Sequence, residues 1–510
     1  MKRYLVLLLA MVMTLSMVAF PAAAEEDDRP TITVTILDRS AVPTDQGTYE
    51  DNWATRWINE NAPVKVEFVA CARNSTYQNY NLWLASGEAP DLIMECQPEY
   101  VEEWANQGML IELSDIIDEY APNYRALTPP ETQQWGMTMG GEYAFAQQRF
   151  ESSVVNHMLY VRTDWLEACG LDIPTTIDDW TEMLTAFKEN YGATFTTYGS
   201  GDGFGYLFTG AYGVPKFTAD NGFYQENGEI RYVAEQEGYR EYLALLNGWY
   251  TAGLIDPDYV SADEGTVVNK AANGETGAIH AFQVSGAHIV TAQETYGTDG
   301  TWAPIPYPTL EEGGERSLVQ MGLDTLSVAT AITTNCEDVD TAVRFLDWLY
   351  SEEAITLFNF GIEGISFEYD ENGNPQYTDD FLNGPDGMVE NASRYTGVVG
   401  NVPNVKTLEA AIARNDASSN EAIITWQGDW SSAEWAEILL PLLSPTEEEN
   451  DETTDILSAL NTYVKESTYS FITGARSLEE WDSYVDELYN IGLETVKTIR
   501  QDQLDRVLAR

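Results

Sequence analysis

Apolar and polar positions along the first hundred residues predict strands that alternate with helices. Residues 31–37, 64–70 and 90–95 are rich in β-branched and other apolar residues, which predicts three strands. Segments 51–60 and 77–86 lie between them and predict helices, the first opened by a capping-type residue. This alternation at this spacing is typical of parallel βαβ units. The pattern therefore predicts an α/β fold that begins with a parallel sheet.

Polar residues follow each of these three strands. In parallel α/β sheets the ligand crevice lies at the carboxyl ends of the strands. The residues just past the predicted ends are Asp38-Arg39-Ser40, Ala72-Arg73 and Gln97-Pro98-Glu99-Tyr100. These three segments are therefore the first candidates for a binding site.

A second α/β region begins after residue 155. Residues 158–162 lead into a new helix, and residues 177–190 carry apolar side chains on one helical face. Asn-Gly motifs predict tight turns at 226–228 and 370–374. The acidic stretch 447–455 is interpreted as a solvated loop. The chain thus contains two successive α/β regions.

The length and the N-terminus indicate a large exported protein. A chain of 510 residues is too long for one core, so we expect two or more lobes. Residues 1–24 combine a basic start, an apolar run from Leu5 to Phe20 and an Ala-x-Ala end, which predicts a signal peptide cleaved after Ala24. The alternative is a membrane anchor, but the run is shorter than the roughly 20 residues that a span needs. We expect an extracellular or cell-surface location.

The charge excludes several classes of partner. The formal net charge is −57, so nucleic acid and anionic membrane surfaces would be repelled. It also disfavours an anionic ligand, although a local basic pocket could hold one. Otherwise the excess is interpreted as a solvated acidic surface that keeps an exported protein soluble.

The four cysteines do not form a recognisable framework. Their wide and irregular spacing matches neither a disulfide scaffold nor a zinc ribbon. Cys71 and Cys96 end apolar strands near one rim, and export permits a bridge, but the sequence does not fix their separation. Cys169 and Cys336 lie in contexts typical of buried thiols.

Short motifs over most of the chain occur in the order and spacing of one protein family. They include Trp53-Ala-Thr-Arg-Trp-Ile58, Ser86-Gly-Glu-Ala-Pro-Asp-Leu-Ile93, Leu159-Tyr-Val-Arg-Thr-Asp-Trp-Leu166, Ala342-Val-Arg-Phe-Leu-Asp-Trp-Leu-Tyr350, Phe360-Gly-Ile-Glu-Gly364 and Glu480-Trp-Asp-Ser-Tyr-Val485. In these motifs the chain resembles the family 1 extracellular solute-binding proteins of multi-sugar ABC importers, in the long Gram-positive lipoprotein-type branch. Each motif alone is weak evidence for the resemblance, whereas the order and spacing of all of them together are specific to this family.

The resemblance implies a two-lobed, periplasmic-binding-protein-like α/β fold with a hinged cleft that the chain crosses several times. By similarity the first lobe comprises residues 26–150 and about 320–365, and the second comprises 155–319 and about 366–510. Ligand binding would close the lobes, and the transmembrane permease subunits of an ABC importer would recognise the closed form. A monomer without a cofactor is expected.

Two departures from the family pattern qualify this expectation. The residues after the apolar run, 21–24, contain no lipobox cysteine, which puts lipid anchoring in doubt. Many relatives have an acidic calcium loop after the helix that corresponds to 178–190. Here residues 191–203 lack the alternating carboxylates that a hard cation needs, so no metal site is expected.

Candidate ligand contacts follow from the chemistry of sugars. Sugars present C–H faces that stack on aromatic rings and hydroxyls that bond amides and carboxylates. The candidates in the first lobe are Asp38, Arg39, Gln97, Glu99, Tyr100 and Tyr143; those in the second are Gln283, Ser285, Trp302, Trp426 and Trp430. Asp38 and Arg39 could instead pair with each other, and each tryptophan could instead pack in a core.

Two alternatives to sugar capture for import stay open. A secreted glycosidase would use two carboxylates. Because the chain contains 83 acidic residues, finding two carboxylates in the sequence is no evidence for catalysis. The sequence contains no G-x-S-x-G elbow, P-loop or dinucleotide fingerprint, and its three histidines form no H-E-x-x-H motif, so we expect no enzyme. The other alternative keeps the fold but changes the ligand to a peptide or another polar solute.

Overall fold

The computed structural model describes most of the chain after the predicted signal peptide. The described residues are 28–38, 47–128, 137–138, 141–146, 148–154, 157–197, 203–205, 207–215, 222–282, 285–314, 323–325, 328–385, 391–392, 394–395, 402–414, 438, 440–441, 443 and 445–509. The predicted signal peptide, 1–24, lies outside them.

Strands and helices alternate through the described residues. The strands are β1 Thr31–Asp38, β2 Lys65–Ala72, β3 Leu92–Cys96, β4 Met137–Thr138, β5 Gly141–Glu142, β6 Ala144–Ala146, β7 Gln148–Val154, β8 His157–Arg162, β9 Thr194–Thr197, β10 Phe223–Glu226, β11 Glu229–Tyr232, β12 Thr276–Phe282, β13 Trp302–Ile305, β14 Leu323–Thr325, β15 Ala329–Ile332, β16 Phe367–Tyr369, β17 Pro375–Tyr377 and β18 Asn404–Lys406. The helices are α1 Trp53–Asn61, α2 Thr76–Ser86, α3 Pro98–Asn106, α4 Ser114–Tyr120, α5 Pro122–Leu127, α6 Thr163–Cys169, α7 Ile177–Tyr191, α8 Glu237–Thr251, α9 Glu264–Ala272, α10 Ser285–Tyr296, α11 Val339–Trp348, α12 Glu352–Phe360, α13 Asp379–Asn383, α14 Leu408–Arg414, α15 Glu447–Thr473, α16 Trp481–Ile491 and α17 Leu493–Leu508. No helix in this part of the chain is long and apolar enough to cross a membrane.

The first sheet has five strands in the order β2-β1-β3-β15-β6. β1 pairs in parallel with both β2 and β3, which confirms the parallel arrangement predicted from the alternating pattern. β15 pairs antiparallel with β3 and with β6. Val34 packs in a hydrophobic cluster on one face of the sheet and Leu37 packs in another cluster on the opposite face. The sheet is therefore buried on both faces, as parallel sheets usually are.

Local capping explains where the first helix begins. The side chain of Asn52 accepts hydrogen bonds from the backbone N–H groups of Ala54 and Thr55, at 2.9 and 3.1 Å. The Thr55 hydroxyl accepts in turn from the Asn52 N–H at 2.9 Å. This reciprocal capping satisfies donors that a helix otherwise leaves open, so α1 begins at Trp53 rather than at the predicted residue 51.

The second sheet has four strands in the order β13-β8-β12-β9. Its core includes Trp180, Leu184 and Phe187 of α7, the residues that give the predicted helix its apolar face. The turn predicted at 226–228 joins β10 to β11, and the turn predicted at 370–374 joins β16 to β17. Helices α15, α16 and α17 pack against the same core through residues such as Leu460 and Tyr484.

One strand from each of three passages of the chain forms a small connecting sheet between these two layers. Its order is β14-β7-β18. β7 leads from the first sheet to the second, β14 leads back, and β18 precedes α14. The repeated crossings expected from the family resemblance therefore take the form of a single hydrogen-bonded unit.

Contacts at the third passage bear on the expected limits of the lobes, which stay predictions. The side-chain amide of Asn359 donates to the carbonyl of Val405 at 2.8 Å, and Lys406 Nζ donates to the carbonyl of Phe358 at 3.2 Å. Phe358 itself packs against the first sheet. Leu408 packs against the second. These contacts favour a limit near residue 407 rather than the expected 365.

The thiols of Cys71 and Cys96 are not bonded to each other, although the sequence left a bridge open. β1 lies between the two strands that carry them. Two strand spacings amount to about 9–10 Å, which exceeds the roughly 7 Å limit for Cα atoms of a disulfide. Both thiols are buried, and burial raises the pKa of Cys96 well above its ordinary value.

The acidic stretch 447–455 is the first part of helix α15, so its interpretation as a solvated loop was wrong. Thr446 caps the helix by accepting from the N–H of Glu449 at 3.2 Å. Carboxylates near a helix N-terminus are favoured by the helix dipole. Arg506 of α17 donates to both carboxylate oxygens of Glu449, at 2.8 and 2.7 Å. A local cap and a distant arginine thus convert an acidic run into a helix.

We predict that Glu449→Gln lowers stability only where the carboxylate is charged. Hydrogen bonds from Arg506 lower the pKa of Glu449 to about 2. The pair therefore stabilises the folded state above the ordinary glutamate pKa of about 4.3, and this stabilisation is lost as the pH falls towards 2. We expect a loss of about 1–2 kcal/mol at pH 7 and a smaller loss at pH 3, measured by urea unfolding followed by circular dichroism.

The control for this variant is Glu237→Gln, which removes a 2.8 Å ion pair to Arg240 in which both side chains are exposed. An exposed pair contributes little, so this change should leave the urea midpoint nearly unaltered. Equal effects of the two variants, or a loss at Glu449 that is the same at both pH values, would contradict the assignment.

We also predict that all four cysteines react with a thiol reagent in urea without added reductant. In the native protein Cys169 should react first, because Cys71, Cys96 and Cys336 are buried. A protonated, buried thiol is a poor nucleophile. Mass spectrometry of the labelled chain counts the modified residues. Detection of only two reactive thiols in urea would show that a bridge exists.

Candidate functional site

The carboxyl ends of parallel strands define one edge on each of the two main sheets. In the first sheet, Asp38, Ala72 and Cys96 end β1, β2 and β3 side by side. In the second sheet, β9, β12 and β13 end together because β12 is parallel to β9 and both β12 and β13 are antiparallel to β8. Ligand crevices in α/β folds form at such edges.

The passages of the chain between the sheets start and finish at these same edges. β6 ends at the edge of the first sheet that carries Cys96, since Ala329 pairs with both Cys96 and Ala146. β8 begins at the carboxyl edge of the second sheet, where His157 pairs with Phe282. Among the described residues between β6 and β8, β7 is the only strand. The region between the two edges, beside the connecting sheet, is therefore the candidate site.

A stacked pair of tyrosines lies at the first edge. The rings of Tyr77 and Tyr100 have centroids 4.0 Å apart and planes inclined by only 11°. The Tyr77 hydroxyl donates to the carbonyl of Glu95 at 3.1 Å and accepts from the N–H of Gln97 at 3.2 Å. Trp104 supports Tyr100 at a centroid distance of 5.5 Å. The pair is thus fixed to the end of β3.

Two residues expected from the sequence, Gln97 and Tyr100, lie together at this first edge. Gln97 is exposed and immediately follows β3. Tyr100 is partly buried in the first turn of α3. Tyr143 packs against the same hydrophobic cluster but lies towards the opposite edge of the sheet, because the next residue, Ala144, pairs with Ala331, which pairs with Ile93 near the start of β3. The edge therefore combines an amide side chain with aromatic surface, a combination that suits a ligand with hydroxyls and C–H faces.

A hydrogen-bonded cluster of polar side chains lies at the second edge. Ser285 is fully buried at the start of α10, and its hydroxyl donates to Oε1 of Glu264 at 2.8 Å. Nδ1 of His288 lies 3.6 Å from the same carboxylate oxygen. Glu264 begins α9, which runs back along the sheet before β12, so its carboxylate lies at the edge. Ser285 was expected at the rim of a loop. It instead begins α10, and its hydroxyl helps to position the Glu264 carboxylate.

Trp302, another expected stacking residue, lies away from this cluster. β13 runs antiparallel to β8, so its first residue pairs with Arg162 at the amino edge of the sheet. Arg162 donates to both oxygens of Asp164, at 2.8 and 2.6 Å, and its guanidinium lies over the ring of Trp165 at 4.3 Å. The position of Trp302 is therefore explained by packing beside a buried arginine.

Six expected contacts lie wholly or partly outside the described residues. The backbones of Asp38 and Glu99 end β1 and begin α3, whereas their side chains lie outside the described structure. Arg39, Gln283, Trp426 and Trp430 lie outside the described residues altogether. Their contact with ligand stays a prediction.

Three residues at the two edges were not among the sequence candidates. Tyr77 follows β2 within a turn of helix, so the strand-end rule could have found it. Glu264 is separated from its strand in sequence, and only the packing of α9 on α10 brings it to the edge. Glu95 lies within β3, and no sequence pattern singled it out as a site residue. Its positive φ cannot be predicted from the periodicity of apolar residues.

Two further observations limit what this site contains. Within the described residues, no group of three or more histidine, cysteine or carboxylate side chains could hold a metal ion. A cavity of about 680 Å³ lies at the opposite edge of the first sheet and is lined by residues such as Thr31, Trp83, Asp91 and Asp338. None of the residues that line it belongs to the second sheet, so it is separate from the candidate site.

Comparison with known proteins shows which family and which relatives the sequence matches. Residues 40–356, more than half of the chain, match the family model described as bacterial extracellular solute-binding protein. The fructooligosaccharide ABC transporter substrate-binding protein FusA of Streptococcus pneumoniae is 22% identical over 472 residues, which cover 84% of this chain and 82% of FusA.

Solved structures share the fold over nearly the whole chain. An HMO-binding, ABC-transporter-associated solute-binding protein from Bifidobacterium longum infantis has a TM-score of 0.76 at 18% identity, and the match covers 94% of this chain and 99% of that one. FusA in complex with kestose has a TM-score of 0.67 at 20% identity, with coverage of 94% and 99%. The expected two-lobed, periplasmic-binding-protein-like fold is confirmed.

Proposed function

The chain belongs to the bacterial extracellular solute-binding protein family, and we propose that it captures an oligosaccharide outside the cell for an ABC importer. The names of two similar proteins support a carbohydrate: one is called a fructooligosaccharide substrate-binding protein and the other an HMO-binding protein. The permease subunits of the importer would be the protein partner. The charge of −57 makes a neutral sugar the favoured cargo.

The stacked tyrosines are the observation that carries this proposal. Tyr100 is only partly buried, and Tyr77 holds it from one side. Gln97 supplies an exposed amide next to this aromatic surface. A sugar ring needs this combination because it is apolar on its faces and polar around its rim.

Binding would proceed by closure of the two lobes. The first edge offers aromatic surface and an amide, whereas the second offers the Glu264 cluster. A ligand that contacts both edges only when they approach shifts the equilibrium towards the closed form by its differential affinity. The connecting sheet would serve as the hinge, and the permease would recognise the closed shape.

We further propose that the protein binds without catalysing a reaction. A glycosidase needs two carboxylates placed on either side of one bond. At the second edge, Ser285 already donates to the Glu264 carboxylate, which engages one of its oxygens. Membership of a family of solute-binding proteins supports the same conclusion. The description of that family as extracellular supports a location outside the cell. We expect a monomer that is exported through the signal in residues 1–24.

Thermal unfolding against a panel of neutral, amino and acidic oligosaccharides tests the function. A ligand at 100 times its Kd that binds only the folded chain adds roughly 2.7 kcal/mol of stability. We expect one neutral glycan to raise the unfolding midpoint and to be recovered intact by chromatography. Recovery of cleaved glycan would contradict the binding role, and stabilisation only by a peptide or another polar solute would contradict the carbohydrate.

Tyr100→Ala should weaken binding of that glycan about 3- to 10-fold, because an aromatic contact contributes roughly 0.5–1.5 kcal/mol. The matched control is Trp302→Ala, which removes a larger ring from the opposite edge of the second sheet. Calorimetric titration should give this control the affinity of the parent chain. A greater loss at Trp302 than at Tyr100 would show that the ligand binds elsewhere.

A further inference from the structure

An asparagine of α12 bonds the edge of the connecting sheet as a neighbouring strand would. β18 is an edge strand of that sheet and pairs with β7 in parallel. The side chain of Asn359 donates to the carbonyl of Val405 at 2.8 Å and accepts from the N–H of Thr407 at 3.0 Å. These are the two bonds that a residue opposite Lys406 makes in a parallel ladder. The carboxamide therefore continues the connecting sheet into α12.

Burial makes this contact costly to break. Asn359 is only 1% exposed, and its amide also donates to the carbonyl of Ile355 at 2.7 Å. A buried donor or acceptor that loses its partner is not compensated by water. Lys406 adds a second bond to the same end of α12, from Nζ to the carbonyl of Phe358 at 3.2 Å. A cation at this position also suits the negative end of the helix dipole. The last turn of α12 is therefore firmly joined to β18.

The contact joins the connecting sheet to one of the two layers. Phe358 and Val405 pack in the hydrophobic cluster on one face of the first sheet. Leu408, the residue after Thr407, packs against a cluster of the second sheet. The chain therefore leaves the first layer directly after the residues that Asn359 binds. β18 is thus held to the first layer by its side-chain contacts as well as by its packing.

We propose that Asn359 is a positioning residue for ligand capture, which holds the hinge to the first layer and so limits the arrangements of the open form. Its role rests on the proposed function, because it concerns the closure that a ligand drives. A hinge held on one side leaves a larger fraction of molecules ready to close. Apparent affinity rises in proportion to that fraction. Asn359 therefore raises affinity without contacting the ligand.

A second asparagine provides a matched control. Asn59 of α1 accepts from the N–H of Val66 at 2.8 Å and donates to the carbonyls of Val66 and Thr55, at 3.0 and 3.3 Å. Like Asn359, it bonds the carbonyl four residues before it and joins a helix to an edge strand, here β2 of the first sheet. α1 and β2 are consecutive elements of the chain. The same substitution at Asn59 therefore disturbs a similar contact that lies away from the passages between the layers.

Asn359→Leu and Asn59→Leu are compared with the parent chain. We expect Asn359→Leu to raise the Kd of the stabilising glycan about 3- to 10-fold in calorimetric titration, because fewer molecules are ready to close. Asn59→Leu should leave the Kd unchanged, although both variants should lower the urea midpoint. Without ligand, small-angle X-ray scattering should give Asn359→Leu a larger radius of gyration than the parent chain. Hydrogen exchange at the Thr407 amide should be about 10-fold faster.

Lys406→Met keeps the test decisive if Asn359→Leu does not fold. This change removes the bond from Nζ to the carbonyl of Phe358 and leaves Asn359 in place. We expect it to raise the Kd and the ligand-free radius of gyration in the same direction as Asn359→Leu, by smaller amounts. Circular dichroism verifies that each variant is folded.

Two results would overturn the role of Asn359. Equal changes in Kd for Asn359→Leu and Asn59→Leu would mean that lost stability alone explains both. A lower urea midpoint for Asn359→Leu with the Kd and radius of gyration of the parent chain would show a structural role only. If the parent chain binds no glycan in the panel, the proposed function fails, whereas ligand-free scattering and hydrogen exchange still decide whether Asn359 holds the hinge.

Discussion

The connecting sheet is the constraint on which the rest of the structure depends. β7, β14 and β18 belong to three separate passages of the chain, and hydrogen bonds join them into one unit. Because β7 follows β6 and precedes β8, and these two strands meet the edges where the strands of the two main sheets end, those edges are kept beside each other. Relative movement of the two layers is thereby restricted to a hinge that opens or closes one cleft.

Local pattern and parallel topology were enough to predict much of the first sheet. The order of strands and helices up to residue 96 and the parallel pairing of β1 with its neighbours follow from alternating segments of standard length. The strand-end rule then placed Gln97 and Tyr100 correctly at one edge, because it requires only strand direction. Resemblance to a family supplied the second lobe, which local patterns alone indicated only as another α/β region.

Features that depend on distant contacts could not be predicted. Trp302 was expected to stack on ligand because of its residue type alone, whereas antiparallel pairing of its strand with β8 places it at the edge opposite the cleft. The acidic run 447–455 forms a helix because Thr446 caps it and Arg506 pairs with Glu449. The positive φ of Glu95 lies where the pairing of β3 with β15, a strand far along the chain, shifts in register. In each case the deciding partner is far away in sequence.

In the proposed mechanism, one ligand joins two facing edges and thereby closes the lobes. Small-angle X-ray scattering of the full chain, with and without a saturating amount of the oligosaccharide that stabilises it, measures this closure directly. We expect the radius of gyration to fall on ligand addition and the scattering curves to fit two states, open and closed. Saturated binding with an unchanged scattering curve would contradict this mechanism, because the ligand would then be held by one lobe alone.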